Sequence, residues 1–179
     1  MEAVLDQRQT CRTLSGEPIG EDQIAQLLWA AQGVNAHGRR TAPSAGALYP
    51  LEVYAVTAEG VAHYDPGNHL LRWRVNGDRR SELANAALAQ DFIARAPLTL
   101  ALCAVYDRIT VRYGPARGPR YVHIEVGHAA QNVLLQAAAL GLGAVPVGAF
   151  DDRVVQELLQ LPAEHEPVYL LSIGRPSAG

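Results

Sequence analysis

The sequence predicts an α+β fold, a mixed α/β sandwich in which four to five strands are interleaved with four helices. Short apolar runs of strand length alternate with segments whose apolar residues recur at helical spacing. Asp65 to Asn68 are turn residues between two strand-like runs, which indicates a β-hairpin. No repeat, linker or low-complexity tract interrupts the 179 residues, so we expect residues 1–179 to form a single domain.

The helices are predicted from spacing and end signals. Residues 21–32 carry Ile24, Leu27 and Leu28 at helical spacing, and Gly33 follows as a C-cap. A second helix is expected over 78–90, with Asp78 as its N-cap. Residues 121–140 are rich in alanine and apolar on most faces, so this longest helix should be central and closely packed. Residues 154–161 predict a short amphipathic helix.

The strands are expected in the remaining apolar runs. Residues 98–105 form a continuous apolar run bounded by Pro97 and Asp107, which is typical of a strand buried on both faces. The other strands are predicted over 51–57, on each side of the hairpin turn, over 144–147 and over 168–173.

Composition bounds the class of protein. Hydrophobic residues make up 49% of the chain and charged residues 18%, which indicates a globular protein. A net charge of −3 gives no electrostatic reason to expect nucleic acid or an anionic membrane as a partner. The longest apolar stretch, 133–147, is too short to span a bilayer. Cys11 and Cys103 are far apart and the N-terminus has no apolar signal segment, so we expect a cytoplasmic protein.

Several common chemistries are excluded by context. "GLGAVPVG" follows a helix and precedes a strand, the reverse of a dinucleotide fingerprint, which favours helix capping. His123 and His128 lie about 140° apart around a helix and cannot face one metal ion. Ser44 lacks the glycine of a nucleophile elbow. Cys103 lies inside an apolar strand, where a thiol is usually inert.

Two segments carry features that suit a bound anion or a planar ligand. Arg8, Thr10 and Arg12 alternate, so in an extended segment they project to one side and would suit a phosphate. On this motif alone, a solvated basic turn is the favoured interpretation. Arg175 follows a strand and would be either a further cation of the site or an ordinary exposed arginine. Residues 43–46, "PSAG", are mostly small and would leave the backbone exposed for contact with a ligand.

These segments together resemble a known family. "QRQTCR" resembles the "RRSxR" phosphate segment of the nitroreductase family of FMN enzymes. "APSAGALYPLEVY", "YDPGNHLLR", "RYGPARGPRYVHIEVGHAAQNVLLQAAALGLGAVPVGAFDD" and "YLLSIGRP" look like successive blocks of its SagB-type dehydrogenase branch, which includes peptide azoline oxidases. The resemblance runs from about Arg8 to Pro176.

The resemblance implies a nitroreductase-like fold with a central, mostly antiparallel sheet, and a homodimer with the long helix buried at its interface. Each FMN site would be built from both subunits, with hydride transfer through flavin N5 and ping-pong kinetics on a small organic substrate such as a nitro compound or quinone. NADH or NADPH is a possible electron donor. The alternatives are a SagB-type peptide azoline dehydrogenase and a non-catalytic flavin-binding protein.

The resemblance also implies site residues. Arg8, Gln9, Thr10 and Arg12 match the segment on the flavin phosphate, with Arg12 also near the N1/C2 carbonyl edge. Pro43, Ser44, Ala45 and Gly46 match the segment that lies along the flavin ring from the partner subunit. Val147 and Gly148 match the loop whose backbone approaches N5 and O4, Arg175 matches a late basic residue on the phosphate, and Gln90 would be a further flavin contact.

The chain departs from the branch pattern at one position that bears on catalysis. Azoline oxidases carry a Lys-Tyr pair before a glycine, and this chain has Arg112 and Tyr113 there. Arginine stays protonated and cannot act as a base, which counts against azoline oxidation by that route. Tyr113 could donate a proton or serve as a packing residue. The chain ends at Gly179, which predicts a short or missing C-terminal arm, although a dimer is still expected.

Overall fold

The computed structural model describes residues 1–177 and contains one sheet of six antiparallel strands. The strands are β1 (Leu51–Val56), β2 (Gly60–Asp65), β3 (Leu70–Asn76), β4 (Leu98–Ala104), β5 (Gly143–Val147) and β6 (Glu166–Gly174). Their order across the sheet is β3-β2-β1-β4-β6-β5, with every neighbouring pair antiparallel. The α+β fold class is confirmed, and the sheet has six strands instead of the expected four to five.

Seven helices are described, compared with the four that were predicted. They are α1 (Glu2–Gln7), α2 (Glu21–Gln32), α3 (Arg80–Ala86), α4 (Asp91–Arg95), α5 (Tyr106–Tyr113), α6 (Gly118–Ala139) and α7 (Asp152–Leu158). A short 3-10 turn, Ala45–Ala47, precedes β1. The end of the chain at Gly179, where the sequence predicts a short arm, lies outside the described residues.

The helices cover both faces of the sheet, and each face has its own apolar core. On one face, Leu27 of α2, Ile109 of α5 and Val126 of α6 belong to the same buried cluster. On the other face, α3, α4 and α7 contribute to the second cluster. Strand β4 lies between β1 and β6, and all seven of its residues are buried. The prediction of a strand covered on both faces is therefore confirmed.

The helix predicted over 78–90 is wrong as a single element. Helix α3 ends at Ala86, and α4 begins only at Asp91. Leu88 and Ala89 between them both have φ of 58°, a left-handed conformation that interrupts a right-handed helix. Asp78 is not the N-cap residue, although its Oδ1 accepts a hydrogen bond from the N–H of Arg80 at 3.0 Å.

Gly33 ends α2 as predicted, but glycine is needed there because a side chain would not fit. Its φ and ψ of −62° and 160° are extended, so no left-handed cap is formed. A Cβ at Gly33 would collide with the indole and the carbonyl oxygen of Trp29. Its N–H donates to that carbonyl oxygen at 2.8 Å, and the chain then turns towards the 43–46 segment.

None of the helices in residues 1–177 combines the length and apolar character needed to cross a lipid bilayer.

Candidate functional site

The chain that follows α1 runs along the edge strand β5. Thr10 forms a bridge with Ala144, and the N–H of Cys11 donates to the carbonyl oxygen of Ala144 at 3.0 Å. A few residues later, the N–H of Ser15 donates to the carbonyl oxygen of Arg175 at 2.8 Å. The N-terminal segment therefore meets both β5 and the end of β6 at the same edge of the sheet.

Gly143 makes this close approach possible. A Cβ at residue 143 would be 2.9 Å from both Cβ and Sγ of Cys11. Cys11 is half-buried against the strand, whereas its neighbours Thr10 and Arg12 are exposed. Thr10 and Arg12 are therefore on the solvent side of the segment, whereas Arg8 is half-buried like Cys11.

A cavity of about 180 Å³ lies where these segments meet. Arg8 and Gln9 line it together with Gly143, Ala144 and Pro176. The structure therefore brings the predicted phosphate segment next to the residue that follows Arg175. The exposed Arg175 has one acidic neighbour, with its Nε 4.0 Å from Oε2 of Glu17.

The other end of β5 carries two more predicted residues. Val147 is the last, buried residue of the strand, and Gly148 is exposed immediately after it. Nε2 of Gln90 donates to the carbonyl oxygens of Ala149 at 3.1 Å and Ala87 at 2.8 Å. Gln90 is thus next to the Gly148 loop, and its amide holds the backbone of that loop to the end of α3.

The 43–46 segment is tightly constrained. Oγ of Ser44 accepts a hydrogen bond from the N–H of Tyr49 at 2.9 Å. Nδ1 of His128, on α6, donates to the carbonyl oxygen of Pro43 at 3.2 Å. Gly46 has φ of 61°, and the non-glycine residues Ala47 and Tyr49 have φ of 53° and 48°. Such backbone strain is often found at ligand-binding segments.

Tyr113 and Arg112, at the end of α5, cover Gly46. A Cβ at residue 46 would be 2.9 Å from the Tyr113 hydroxyl and 3.0 Å from Nη1 of Arg112. The Tyr113 ring also packs on Tyr121, with 4.7 Å between ring centroids. Both roles considered for Tyr113 are therefore compatible with its position, since its ring is packed while its hydroxyl faces the segment.

The N-terminal segment and the 43–46 segment lie at opposite ends of the sheet. Gly143, beside the N-terminal segment, pairs with Gly174 at the end of β6. The 43–46 segment enters β1 at Leu51, whose partner Ala104 pairs with Glu166 at the start of β6. A separate cavity of about 380 Å³ beside this segment shares no lining residue with the first cavity. The N-terminal segment and the 43–46 segment of one chain therefore do not line the same cavity.

A buried acid that the sequence did not single out lies next to the 43–46 segment. Glu125 of α6 is 1% exposed, and its Oε1 accepts a hydrogen bond from Nε2 of Gln32, on α2, at 3.5 Å. Burial raises the pKa of Glu125 to about 7, against smaller opposing contributions from Ser44, Gln32 and Arg40. The sequence signal for its burial was that Glu125 lies at helical spacing from the apolar residues Val122 and Ala129.

No three His, Cys, Asp or Glu side chains within residues 1–177 are placed to hold a metal ion. The two histidines of α6 have separate partners. Nε2 of His123 lies 2.9 Å from the Tyr106 hydroxyl, and His128 contacts Pro43. Cys103 is fully buried, and burial raises the pKa of its thiol well above the usual range.

Comparison with known proteins identifies the family. Residues 5–175 match the Nitroreductase family. The chain is 44% identical over 182 residues to the nitroreductase homologue MJ1384 of Methanocaldococcus jannaschii, an alignment that covers 98% of this chain and 90% of that protein. A crystal structure of a nitroreductase-like protein from Ralstonia eutropha superposes with a TM-score of 0.90 at 32% identity, covering 99% of this chain and 83% of that one. The protein belongs to the nitroreductase family, and the nitroreductase-like fold is confirmed.

Two more distant relatives have names that describe an activity or a process. The FMN reductase [NAD(P)H] of Bacillus subtilis is 25% identical over 97% of this chain and 64% of its own length. The trifolitoxin-processing protein TfxB of Rhizobium leguminosarum is 27% identical over 135 residues, which are 70% of this chain and 36% of TfxB.

Proposed function

We propose that this protein is a cytoplasmic FMN-dependent oxidoreductase that transfers hydride from a reduced nicotinamide to a small organic acceptor such as a quinone or nitro compound. The observation that carries the proposal is the meeting of the Arg8–Arg12 segment and the Arg175 region on β5, which the exposed Gly148 follows. Membership of the nitroreductase family and similarity to an FMN reductase support it.

The residues at the start of β5 fit a phosphate. Arg8 lines the cavity there, and Arg12 and Arg175 are on segments that flank it. Guanidinium groups bind phosphate oxygens through paired hydrogen bonds, and the exposed hydroxyl of Thr10 adds a donor. Gln9, also on the cavity, would contribute a weaker hydrogen bond.

The residues at the end of β5 fit the ring. Gly148 is exposed and has no side chain to hold a planar ligand away from the backbone. Nε2 of Gln90 holds the following loop at the carbonyl oxygen of Ala149, and the Gly148 N–H would donate to the flavin. FMN, when bound, supplies hydride transfer at its N5 position. Arg12 would stabilise the negative charge that collects on the N1/C2 edge.

The proposed site requires two copies of the chain. Pro43 to Gly46 lead into β1, which β4 and β6 separate from β5, so they would contact the flavin of a partner subunit. The exposed side of α6 supports a homodimer, because Ile124 is 48% exposed beside Gly127, whose added Cβ would meet nothing within 4 Å. A mid-helix glycine costs about 1 kcal/mol relative to alanine, and no contact within its own chain explains it.

Tyr113 is the proposed proton donor to the substrate. Its hydroxyl faces Gly46, which in the dimer would lie along the ring of the partner's flavin. When the acceptor takes only hydride, this proton is not needed, and Tyr113 then acts through packing on Tyr121. Two half-reactions at one site would give ping-pong kinetics.

Peptide azoline dehydrogenation is the second candidate function. The sequence blocks of the SagB-type branch and the similarity to a trifolitoxin-processing protein favour it. Arg112 counts against it, because a guanidinium cannot replace the basic lysine of that branch. A non-catalytic flavin-binding protein is the third candidate.

The test is FMN reconstitution followed by gel filtration and anaerobic titration with NADH and then NADPH. We expect a yellow dimer whose flavin absorbance bleaches rapidly with at least one nucleotide. Arg8→Ala should weaken FMN binding at least tenfold, about 1.4 kcal/mol. Arg153→Ala is the matched control, since Arg153 is exposed on α7 and pairs only with Glu157 among the described ion pairs.

The remaining outcomes distinguish the three candidate functions. A protein that retains no FMN contradicts the proposal. A yellow dimer that ignores both nucleotides favours a peptide dehydrogenase or a flavin-binding protein, and bleaching by a thiazoline-containing peptide would distinguish these two.

A further inference from the structure

The side chains of Glu125 and Gln32 form an isolated polar pair between α6 and α2. Each residue is 1% exposed, and the pair is joined by the hydrogen bond from Nε2 of Gln32 to Oε1 of Glu125 at 3.5 Å. Among the described residues, the remaining oxygens, Oε2 of Glu125 and Oε1 of Gln32, are buried without a hydrogen bond of ordinary length and angle, although the nearby Ser44 hydroxyl favours the ionised carboxyl. Two neighbouring buried acceptors without donors are unfavourable, because each has lost its hydrogen bonds to water.

A single proton on Glu125 would remove the mismatch between these two neighbouring acceptors. A protonated carboxyl is a donor as well as an acceptor, so its O–H can donate to the Gln32 amide oxygen while Nε2 donates back. An ionised carboxyl offers only acceptors and leaves the Gln32 oxygen unpaired. The pKa of Glu125, raised by burial to about 7, agrees with this geometry. The carboxyl therefore exchanges its proton in the neutral range.

The groups facing Glu125 connect it to the 43–46 segment. From the loop, Ser44 and Arg40 both act on the carboxyl. Nη1 of Arg40 also donates to the carbonyl oxygen of Gln32 at 3.0 Å. On α6 itself, His128 lies one turn beyond Glu125 and donates to Pro43 at 3.2 Å. Within residues 1–177, Arg40 is the charged group that opposes the raised pKa of Glu125, and its attraction is smaller than the effect of burial.

We propose that Glu125 is the residue through which the site takes up and returns a proton when the charge on the bound flavin changes. The inference rests on the proposed function, in which Pro43 to Gly46 lie along the flavin ring. Glu125 acts through the 43–46 segment as a charge-compensating residue and does not touch the reacting atoms.

A hydride carries two electrons and one proton, so FMN reduced by a nicotinamide would become one unit more negative. The Glu125 carboxylate then takes a second proton from water, which removes its repulsion of the new charge. When the quinone or nitro acceptor accepts the hydride, the proton of Glu125 returns to water. The buried pair thus alternates between its charged and neutral forms once in each catalytic cycle.

The experiment measures how the midpoint potential of bound FMN depends on pH around neutrality. The wild type, Glu125→Gln and Glu82→Gln are compared, with free FMN as a reference. Glutamine keeps the shape of Glu125 but cannot titrate, and Glu82 is an exposed glutamate on α3 on the other face of the sheet. We expect the wild type and Glu82→Gln to take up more protons per two electrons than Glu125→Gln, with the difference approaching one proton above pH 7, where the carboxyl is ionised before reduction.

Equal pH slopes in the wild type and Glu125→Gln would overturn the inference and leave the proposed function standing. Loss of FMN binding by the wild type would overturn both. If Glu125→Gln does not fold, proton uptake on reduction is measured for the wild type against free FMN in weakly buffered solution. An uptake no larger than that of free FMN would then overturn the inference, and a larger one, with a new infrared band of a protonated carboxyl, would support it.

Discussion

The hydroxyl oxygen of Tyr113 lies so close to Gly46 that a Cβ at residue 46 would be only 2.9 Å from it. The same position has φ of 61°, so it needs glycine for its conformation as well as for space. The end of α5 is thereby packed onto the 43–46 segment, and the two form one wall of the proposed ring-binding surface.

Replacement of Gly46 by alanine should both destabilise the fold and weaken FMN binding. The left-handed conformation alone costs a non-glycine residue about 1–2 kcal/mol, and the displaced Tyr113 adds to this cost. Thermal unfolding and FMN titration measure the two effects. Gly38→Ala is the matched control, because Gly38 has φ of 71° but nothing within 4 Å of an added Cβ. Equal losses of FMN affinity in both variants would contradict a role for the Tyr113 contact.

Gly143→Ala should weaken FMN binding with a smaller effect on stability. The added methyl group would be 2.9 Å from Cβ and Sγ of Cys11 and would push the N-terminal segment away from β5. We expect a loss of about 1–2 kcal/mol of binding free energy, because the arginines of that segment would be misplaced by part of an ångström. Fluorescence quenching of FMN measures the affinity.

Gly16→Ala provides the comparison for Gly143→Ala. Gly16 follows the same segment, and its added Cβ would be 3.7 Å from the carbonyl oxygen of Arg95, an ordinary contact. FMN affinity should therefore be preserved in Gly16→Ala. The proposed position of the phosphate would be wrong if Gly143→Ala bound FMN as tightly as Gly16→Ala.

The elements with a simple local pattern could be predicted from the sequence. Apart from Thr99, residues 98–105 are apolar because β4 is covered on both faces. The hairpin was recognisable because Asp65 is a turn former, and its Oδ1 accepts hydrogen bonds from the N–H groups of Gly67 and Asn68. In both cases, the feature that is visible in the sequence is also the one that determines the local structure.

Two departures from the predicted elements have different causes. Helix α5 was not predicted, although its buried and half-buried residues Tyr106, Ile109 and Tyr113 recur at helical spacing. The positive φ values of Leu88 and Ala89 occur in residues that rarely adopt them.

The site was predictable in its parts but not in its arrangement. Resemblance located Arg8 and Ser44, whereas the strand order was needed to place their segments at opposite ends of the sheet. The buried Glu125 was missed because its partner Gln32 lies 93 residues away in the sequence.

Gly127→Gln should dissociate the proposed dimer while leaving the monomer fold intact. Glutamine favours helix by about 0.5–1 kcal/mol over glycine, so an exposed position should become more stable. On a surface that packs closely against a second subunit, the same side chain would instead separate the subunits. Val154→Gln is the control, since Val154 is 45% exposed on α7, on the other face of the sheet. Sedimentation measures the association, and an unchanged dimer in Gly127→Gln would place the interface elsewhere.

Glu52 should make the fold sensitive to acid. Burial alone would raise the pKa of its carboxyl, but hydrogen bonds from His63 and Arg108 lower it to about 2. Nε2 of His63 lies 2.6 Å from Oε2 of Glu52, and Tyr54 stacks on the His63 ring at 4.7 Å. Because the pKa is lowered from 4.5, this stabilisation is present above pH 4.5 and is lost as the pH falls towards 2.

Glu52→Gln should therefore reduce the free energy of unfolding at neutral pH by about 2–3 kcal/mol, and this difference should shrink in acid. Urea unfolding of the wild type and variant across the acid range measures it. Glu157→Gln removes an exposed pair with Arg153 and should cost only about 0.5 kcal/mol. A Glu52→Gln deficit that persists unchanged at the lowest pH would show that the ion pair is not its cause.

Glu125→Gln should change stability with the opposite pH dependence, even without bound flavin. The pKa of Glu125 is raised from 4.5 to about 7, so between these pH values the folded chain binds more protons than the unfolded chain. Stability of the wild type therefore falls as the pH rises through this window, by up to about 3 kcal/mol. Glutamine cannot titrate, so Glu125→Gln should lose this dependence and gain stability relative to the wild type above pH 7. Urea unfolding at several pH values, with Glu82→Gln as control, measures the difference. Parallel curves for the wild type and Glu125→Gln would mean that the buried carboxyl already has a partner that neutralises it.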